Sequence, residues 1–391
     1  MIKEISIKNF KSLKNIQVTC QNLNILTGMN GMGKSTLIQA LLLLRQSHLK
    51  DFLTKTTKSL YLGENTEKGD LVVLGNYEDI IYQDFEEKEP YLQFSIKFSD
   101  NKQGSIQTEN YGYDIQTNLE NQGYNVIAIS HDFQKNIFEK SIFQKNKFQY
   151  IQANRIANQN ELPKNNLSVQ HKNFGIDGRY AMHYFVTNRA KPIPIPALSF
   201  PTKNIDLSLE SQVNAWLGEI SPNVQVASVN EENATSIEQK YSFSVGAIPR
   251  KPFKAFNVGF GISYTFSVIL ALLTAEKGDL IIIENPEAHL HPKGQSKITE
   301  LMALAAQNGV QIFCETHSDH VINGCLVAAY QHYKNNKVGI SNENINMLFF
   351  NRHETTQLNQ VVPIIISEKG RIKNASNDFF DQIDIDLRRM I

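Results

Sequence analysis

Cysteine is scarce in this sequence. Among 391 residues there are only three, Cys20, Cys314 and Cys325, which are far apart and form no CxxC pair. This spacing offers no plausible disulfide framework. Such sparse cysteine usage fits a protein of the reducing cytosol.

An excess of charge of either sign is also lacking. The chain has 39 basic and 39 acidic residues, and its isoelectric point is near 7.2. Without a global cationic field, composition alone does not indicate nucleic acid as a partner. A local basic patch, and therefore DNA binding, stays open.

Long apolar runs are missing as well. The apolar runs, such as those at 41–44, 281–283 and 364–366, are far shorter than the roughly 20 residues that cross a bilayer. The first residues, MIKEISI, alternate like a strand and contain no apolar signal core. We therefore expect a soluble, cytoplasmic protein without a membrane partner.

A glycine-rich loop at 28–35, GMNGMGKS, is the most informative feature present, and it fits the pattern G-x-x-x-x-G-K-[ST]. An apolar strand at 23–27 enters the loop, and an apolar helix leaves it. The glycines let backbone N–H groups curl around a polyanion, and the helix adds its positive dipole end. We therefore predict a nucleoside triphosphate site with Lys34 on the β- and γ-phosphates and Ser35 on Mg²⁺. The predicted loop contacts are Gly28, Asn30, Gly31, Gly33, Lys34, Ser35 and Thr36.

An acid-tipped strand at 279–284, DLIIIE, supplies the second element of such a site. The Mg²⁺ bound by Ser35 needs a carboxylate at the end of a neighbouring strand, and Glu284 is the candidate. About 25 residues later the strand at 311–315 leads to His317, which we expect to face the nucleotide.

A second glycine-rich turn precedes another helix. Gly259, Gly261 and Ser263 open an apolar helix predicted at about 263–276, where they could bind an anion separate from the first site. The alternative is a plain glycine turn with Ser263 as the N-cap, worth about 1 kcal/mol to the helix.

The composition divides the chain into residues 1–80, 81–250 and 251–391. The middle part is rich in Asn, Gln, Lys, Phe and Tyr, and its alternating runs at 91–98 and 148–153 indicate half-exposed strands. The outer parts follow an α/β pattern. We predict one α/β nucleotide-binding domain, interrupted by a long mixed insertion. Its later elements are predicted as helices at 292–307, from 319 and from 376, and strands near 346–350 and 361–366.

The order of these motifs resembles that of ABC-type ATPase heads. More narrowly, ENPEAHLHP at 284–292 and ETHS at 315–318 resemble the SMC/OLD-like AAA-family ATPases, bacterial proteins often found in anti-phage defence operons. The resemblance covers roughly 1–80 and 250–391. Within the middle part it is local, at 154–156 and 175–178. The ending, around 370–382, is similar to the short C-terminal segment of one uncharacterised branch.

The resemblance implies a mechanism. Two P-loop heads would sandwich ATP, with Gly259, Gly261 and Ser263 of one subunit capping the γ-phosphate on the other subunit's loop. ATP would hold the pair together and its hydrolysis would release it. The implied assembly is a homodimer or a higher homo-oligomer, with ATP and Mg²⁺ as cofactors.

One departure concerns the catalytic base. Related heads place a glutamate directly after the Mg²⁺ acid, whereas this chain has Asn285, whose amide can orient water but cannot accept its proton. Either Glu287 takes over as the base, or hydrolysis is slow and ATP mainly maintains a closed state. We favour slow hydrolysis with Glu287 assisting.

Each of four further residues has two possible roles. Lys11 and Arg155 either reach the nucleotide or are structural or solvated cations. His289 and His291 flank the loop at a spacing compatible with metal binding, but within this motif we expect them to shape a dimer interface.

The motifs and the resemblance leave three possible functions. The first is a sensor or scaffold that acts through a separate effector such as a nuclease, because about 75 residues after His317 are too few for a Toprim nuclease domain. The second is a DNA-repair or chromosome-maintenance head that clamps DNA. The middle part lacks the sustained heptads of a coiled-coil arm, which disfavours that function. The third, a transporter-associated ATPase, fits the Glu-Asn-Pro-Glu motif poorly.

Overall fold

The computed structural model describes residues 1–54, 56–84, 91–100, 109–111, 113–122, 126–133, 140, 142–157, 159–201, 205–227, 235–245, 248–249, 251–335, 338–374, 379 and 389. The chain forms two compact units. The P-loop unit comprises residues 2–135 and 317–391, and the carboxylate unit comprises residue 1 and residues 136–316.

The elements follow one another along the chain. The P-loop unit begins with β1 (Ile2–Phe10), β2 (Leu13–Thr19), β3 (Leu23–Gly28), α1 (Lys34–Leu49), β4 (Ser59–Tyr61), α2 (Tyr77–Ile80), β5 (Gln93–Asp100), β6 (Glu109–Tyr111), β7 (Tyr113–Gln122) and β8 (Val126–Phe133). The carboxylate unit contains β9 (Phe148–Ile151), β10 (Glu161–Pro163), α3 (Asn166–Gln170), α4 (Ala181–Asn188), α5 (Leu209–Ile220), β11 (Val224–Val226), β12 (Ser236–Glu238), β13 (Lys240–Val245), β14 (Ile248–Pro249), β15 (Phe253–Lys254), α6 (Phe260–Leu273), β16 (Leu280–Glu284), α7 (Pro292–Gln307) and β17 (Gln311–Glu315). The P-loop unit ends with α8 (Asp319–Lys334), β18 (Ile345–Arg352) and β19 (Asn359–Ile364).

A seven-stranded antiparallel sheet forms part of the P-loop unit, in the order β2-β1-β5-β7-β8-β4 with β6 on β5. The alternation in β1 decides which side chains it buries. Ile7 is buried, and it pairs with Ile16 on one neighbour and Phe94 on the other. The period-2 pattern of the N-terminus thus supplies one apolar face of this sheet.

The strand that enters the phosphate loop is part of a parallel pair. β3 pairs with β18 from Leu23↔Ile345 to Gly28↔Phe350, and β19 adds to β18 in the antiparallel sense. Helix α1, which follows the loop, is buried on almost every face, as its run of leucines predicts. The loop is therefore held between two elements of the core.

Three parallel strands position the acidic end of the carboxylate unit. β16 lies between β9 and β17, with Ile283 opposite Ile151 and Glu284 opposite Glu315. Its four apolar residues are fully buried, as is typical of parallel strands covered on both faces. The carboxyl ends of parallel strands share one edge, so this edge carries two adjacent carboxylates.

Helix packing completes the carboxylate unit. Helix α5 packs against both α6 and α7. Its Trp216 is fully buried and donates its indole N–H to the carbonyl of Leu198 over 3.0 Å. Helix α7 begins at Pro292, where a missing N–H costs nothing.

The α/β class predicted from the sequence is confirmed, and α7 has the predicted bounds. Helix α6 begins at Phe260 and so includes Gly261 and Ser263, whereas the pattern predicted a start near 263. The final helix predicted from 376 lies outside the described residues. The division of the chain at residues 80 and 250 stays a prediction. In the middle part (81–250), β5 pairs with β1 and β9 pairs with β16, so this part shares sheets with both outer parts.

Two further features of the described residues concern apolar helices and the cysteines. Within the described ranges, no helix combines the length and apolarity that a membrane crossing requires. All three cysteines are free thiols, and each is buried.

Candidate functional site

Three glycines shape the phosphate loop. Gly28, Gly31 and Gly33 have φ of 128°, 77° and 107°, which side-chain-bearing residues rarely adopt. Gly33 is the N-cap of α1, and no side-chain hydrogen bond caps the helix there. An uncapped helix N-terminus is a favourable place for an anion. Asn30 and Ser35 are exposed beside them.

Gly28 also allows a close approach between strands. A Cβ at this position would lie 2.1 Å from the carbonyl oxygen of Phe350 in β18. Positive φ and this contact both require glycine here. The parallel partner strand therefore helps to fix where the loop begins.

Lys34 folds back across the loop. Its ammonium donates to the carbonyls of Gly28 at 2.9 Å and Met29 at 2.7 Å, and only 3% of the residue is exposed. An ammonium held against the backbone of a glycine-rich loop is placed to receive phosphate oxygens.

Side chains from the turn between β1 and β2 support the first turns of α1. The hydroxyls of Ser12 and Thr36 lie 3.2 Å apart, and Lys11 donates to the amide oxygen of Gln39 over 2.8 Å. Burial lowers the pKa of Lys11, and the charge of Asp79 partly opposes that shift. The hydroxyl of Thr36 thus contacts that of Ser12. Lys11 both contacts Gln39 and lines an open space.

That space is a cavity of about 630 Å³ beside the phosphate loop. Its volume falls within the range of small-molecule sites. Lys11 and Arg352 are the cations along its wall, and Asp79 and Asp84 are among its acids. The described residues that line it are Lys11, Ser12, Gly31, Glu78, Asp79, Ile81, Tyr82, Gln83, Asp84, Arg352, Gln357 and Asn359.

His317 lies in the P-loop unit and interacts electrostatically with Lys34. Burial, and then the positive charge of Lys34, lower the pKa of His317 from its usual 6.5. Its imidazole is therefore neutral at pH 7, where one ring nitrogen donates a hydrogen bond and the other accepts.

We expect His317 to titrate below pH 6.5 in an NMR titration of the unliganded protein. Lys34→Met should raise that pKa, because it removes a nearby positive charge that opposes protonation. Lys97→Met, which alters an ion pair with Glu4 in the same unit, should leave it unchanged. A pKa at or above 6.5, or one indifferent to Lys34→Met, would contradict this assignment.

Glu284 ends β16 with both carboxylate oxygens engaged. One accepts from the hydroxyl of Tyr150 at 2.9 Å and the other from the backbone N–H of Ala153 at 3.0 Å. Burial, and then the charge of Glu284, raise the pKa of Tyr150, so the phenol remains a donor. Each oxygen keeps a further lone pair, which leaves Glu284 able to bind a cation.

The backbone conformation at residue 285 favours asparagine. Its φ is 45°, in the left-handed region, and its N–H donates to the carbonyl of Glu315 over 2.8 Å. Asparagine tolerates this conformation better than glutamate does. The departure from the usual glutamate thus coincides with a turn that a glutamate would strain.

The loop after Asn285 packs against the glycine-rich turn. A Cβ on Gly261 would lie 2.5 Å from the carbonyl oxygen of His289. The ring of His289 is 4.9 Å from that of Tyr264 and 5.6 Å from that of Phe260. Close contact with this loop is therefore one structural reason for Gly261.

Ser263 does not cap α6. The N-cap is Gly259, which is exposed, whereas Ser263 is inside the first turns of the helix and only 4% exposed. The alternative of a serine N-cap is therefore wrong, because the helix already begins at Phe260 and Ser263 lies inside it. A phosphate contact by Gly259, Gly261 or Ser263 stays a prediction.

The residues predicted from the sequence fall into the two units. The P-loop unit holds the loop, Lys11 and His317, and the carboxylate unit holds Glu284, Asn285, Glu287 and the turn at 259–263. Sequence reasoning missed Tyr150 and the neighbouring backbone N–H of Ala153. No motif pointed to them, since β9 is read only as a strand.

The donor set suits ATP with Mg²⁺. Positive-φ glycines and an uncapped helix N-terminus fit a polyphosphate, and the hydroxyl and carboxylate of Ser35 and Glu284 are oxygen ligands that Mg²⁺ accepts. Within the described part of the chain, no group of three or more His, Cys, Asp or Glu side chains could hold a metal ion. His289 and His291 therefore belong to no such group, and the pairing of Ser35 with Glu284 stays a prediction.

Known proteins similar to this chain agree with the site. The family described as "AAA ATPase domain" matches residues 1–322, and "Protein of unknown function (DUF3696)" matches 340–390. A protein of Helicobacter pylori (strain ATCC 700392 / 26695) named "ATP/GTP phosphatase" is 24% identical over 342 residues, which is 82% of this chain and 86% of that protein.

Solved structures agree in fold. The SMC head bound to the C-terminal winged-helix domain of ScpA matches with a TM-score of 0.52 at 12% identity, over 94% of this chain and 98% of that one. An SMC head with an extended coiled coil, bound to the C-terminal domain of ScpA derived from Pyrococcus furiosus, matches with a TM-score of 0.53 at 11% identity, over 99% of each chain. The fold is therefore that of an SMC-type, ABC-like ATPase head.

The family match covers most of the chain, and the phosphate loop, Lys34 and the acid-tipped strand have the form that nucleotide chemistry requires. The chain belongs to the AAA ATPase domain family and is an ATPase with the fold of SMC heads.

Proposed function

We propose that this ATPase binds MgATP between two copies of itself, hydrolyses it slowly, and serves as a sensor or scaffold for a separate effector. The uncapped start of α1 with Lys34 across the loop is the observation that carries the proposal. It supplies a preorganised polyphosphate site, with the ammonium of Lys34 held against the carbonyls of Gly28 and Met29.

On the phosphate side, Lys34 exchanges those carbonyls for β- and γ-phosphate oxygens. Ser35 and Glu284 would hold Mg²⁺, which would neutralise charge on the phosphates. The loop itself is formed by residues that include Gly28, Asn30, Gly31 and Gly33, and Thr36 supports it. Lys11 contacts the nucleotide from the cavity side. The positive-φ glycines and the bonds of Lys34 to the loop support these roles.

We expect slow turnover because of the residues that we assign to the γ-phosphate. Asn285 orients water without accepting its proton, and the neutral imidazole of His317 hydrogen-bonds to a phosphate oxygen or to the water. Glu287, two residues beyond Asn285, is the carboxylate that accepts the proton. A base displaced from the usual position makes hydrolysis slow, so the closed pair persists.

Pairing uses the glycine-rich turn. Gly259 is exposed at the N-terminus of α6, beside Phe260, which is 53% exposed. We assign this turn, with Gly261 and Ser263, to the γ-phosphate bound by the other copy. Ser263 then has to become accessible when the two copies close.

The effector is inferred from the resemblance to defence ATPases, and a nuclease encoded nearby fits it. The solved SMC heads are recorded in complexes with ScpA, so heads of this fold can carry partner proteins. A DNA-clamping maintenance ATPase remains the alternative. DNA-stimulated ATP hydrolysis without any partner would favour it.

Affinity purification from the native host, with and without ATP, followed by mass spectrometry tests the effector. We expect a second protein to be enriched with ATP and lost with the Lys34→Ala variant. Recovery of the chain alone under both conditions would contradict the scaffold model. ATP and GTP should be compared in the same assay, because the named relative is a phosphatase of both.

A further inference from the structure

Arg155 is a buried cation that contacts the backbone of the acidic loop. The residue is 3% exposed, and its Nη2 donates to the carbonyls of Glu284 and Asn285, the latter at 3.0 Å. It thereby bonds to the two residues where β16 ends and the left-handed turn begins. Burial lowers the pKa of Arg155 to about 10, so the guanidinium stays charged at neutral pH.

The segment that carries Arg155 is itself anchored. Backbone N–H groups of Gln152 and Ile156 donate to the carbonyls of Ile176 and Asp177 at 2.8 and 2.9 Å. Tyr150 and Ala153, from the same segment, bond to the carboxylate of Glu284. This short stretch therefore fixes both the side chain and the backbone of the residue predicted to bind Mg²⁺.

Fold stability alone does not explain a cation at this position. The Nε and Nη1 groups of Arg155 are buried and have no acceptor among the described residues. Burying a charge with unused donors is costly. Glu287 is the carboxylate with the largest electrostatic effect on Arg155, although no bond joins the two side chains among the contacts described. Costly buried charges of this kind are typical of functional sites.

Arg155 also reaches the glycine-rich turn. Its guanidinium carbon lies 5.5 Å from the ring centre of Tyr264 in α6, within the range of a cation–π contact. Tyr264 in turn contacts His289, edge to face. The acidic loop and the first turns of α6 are thus joined by one continuous set of contacts through Arg155.

We infer that Arg155 is a positioning residue for ATP hydrolysis, which sets the 284–289 loop through two carbonyls and holds it against α6 through Tyr264. This inference rests on the proposed function. It differs from the role considered from the sequence, in which Arg155 would reach the nucleotide itself. It also makes the link between the acidic loop and the glycine-rich turn a property of a single chain.

The test compares steady-state hydrolysis and equilibrium MgATP binding in Arg155→Met, Arg155→Lys and wild type. We expect kcat of Arg155→Met to fall about 10- to 100-fold, as for outer-shell partners of metal ligands, with KM and Kd within about threefold. Arg155→Lys should recover part of the loss, since an ammonium can reach one carbonyl but lacks the planar fork. Lys297→Met, which removes a lysine paired with Glu300 on α7 in the same unit, is the control and should keep wild-type kcat.

A second pair of variants keeps the test decisive if Arg155→Met folds poorly. Tyr264→Phe retains the ring that faces Arg155 and should keep kcat within about twofold. Tyr264→Leu removes the ring and should lower kcat at least about fivefold, with the Kd for MgATP unchanged.

The outcomes separate the inference from the proposed function. Wild-type kcat in Arg155→Met, or equal losses in Tyr264→Phe and Tyr264→Leu, would overturn the role of Arg155 while leaving the ATPase proposal intact. Parallel losses of kcat, MgATP affinity and melting temperature, with no recovery in Arg155→Lys, would indicate a merely structural residue and also overturn it. No ATP turnover in the wild type would overturn both.

Discussion

Replacement of Lys34 by alanine should abolish measurable MgATP binding. The variant loses the charge and the ammonium donors that the loop directs at the phosphates. Two charge-assisted hydrogen bonds are worth about 3–6 kcal/mol, or about a 100- to 10,000-fold loss of affinity. Isothermal titration calorimetry with the purified variant measures the loss directly.

The control for that experiment is Lys97→Ala. Lys97 belongs to the same unit and pairs with Glu4, and 48% of its side chain is exposed. Its removal should leave MgATP affinity within about twofold, as expected of a surface ion pair. Binding by Lys34→Ala at wild-type affinity would mean that the loop is not the polyphosphate site.

Glu287→Gln should separate binding from hydrolysis. We expect kcat to fall at least about 100-fold, because the amide cannot accept a proton from water. The Kd for MgATP should stay within about threefold, since the phosphate loop is intact. The closed pair should then accumulate in MgATP, which analytical ultracentrifugation detects as a shift from monomer to dimer.

Glu300→Gln provides the matched control. Glu300 pairs with Lys297 on α7 in the same unit and lies away from the 284–291 loop in sequence. It should retain wild-type turnover and show no ATP-dependent accumulation beyond that of wild type. Wild-type turnover in Glu287→Gln would remove Glu287 from the mechanism and leave Asn285 as the water-orienting group.

The phosphate loop could be predicted from the sequence because its chemistry is local. The spacing from Gly28 to Ser35 specifies the turn, and the flanking apolar runs specify the strand and helix that hold it. Local sequence signals also predict strand β16 and helix α7. Their apolar runs and a proline at the first helical position indicate their limits.

The contacts around Glu284 could not be predicted in the same way. Tyr150 precedes Glu284 by 134 residues, and only the parallel pairing of β9 with β16 places them side by side. A single sequence does not specify which strand neighbours which. The same holds for Arg155, whose partners are main-chain carbonyls that no residue type reveals.

The start of α6 illustrates a different limit. Glycine is a poor helix former, so the pattern placed the first turn after Gly261. The carbonyl of His289 occupies the space that a Cβ at 261 would need, and the helix starts at Phe260. Tertiary packing therefore overrode local propensity at this position.

A mixing experiment tests most directly whether two copies share each ATP. Lys34→Ala lacks a working phosphate loop but keeps the turn at 259–263. Gly259→Asp keeps the loop and places a negative charge where the other copy's γ-phosphate would lie. Its Cβ would meet no atom of the described residues within 4 Å, so folding should be unaffected.

Each variant alone should be inactive. Random pairing of equal amounts should give mixed dimers with one complete site each, which restores roughly a quarter of wild-type ATP hydrolysis. A mixture as inactive as its two components, at a concentration where wild type pairs in MgATP, would contradict the shared site.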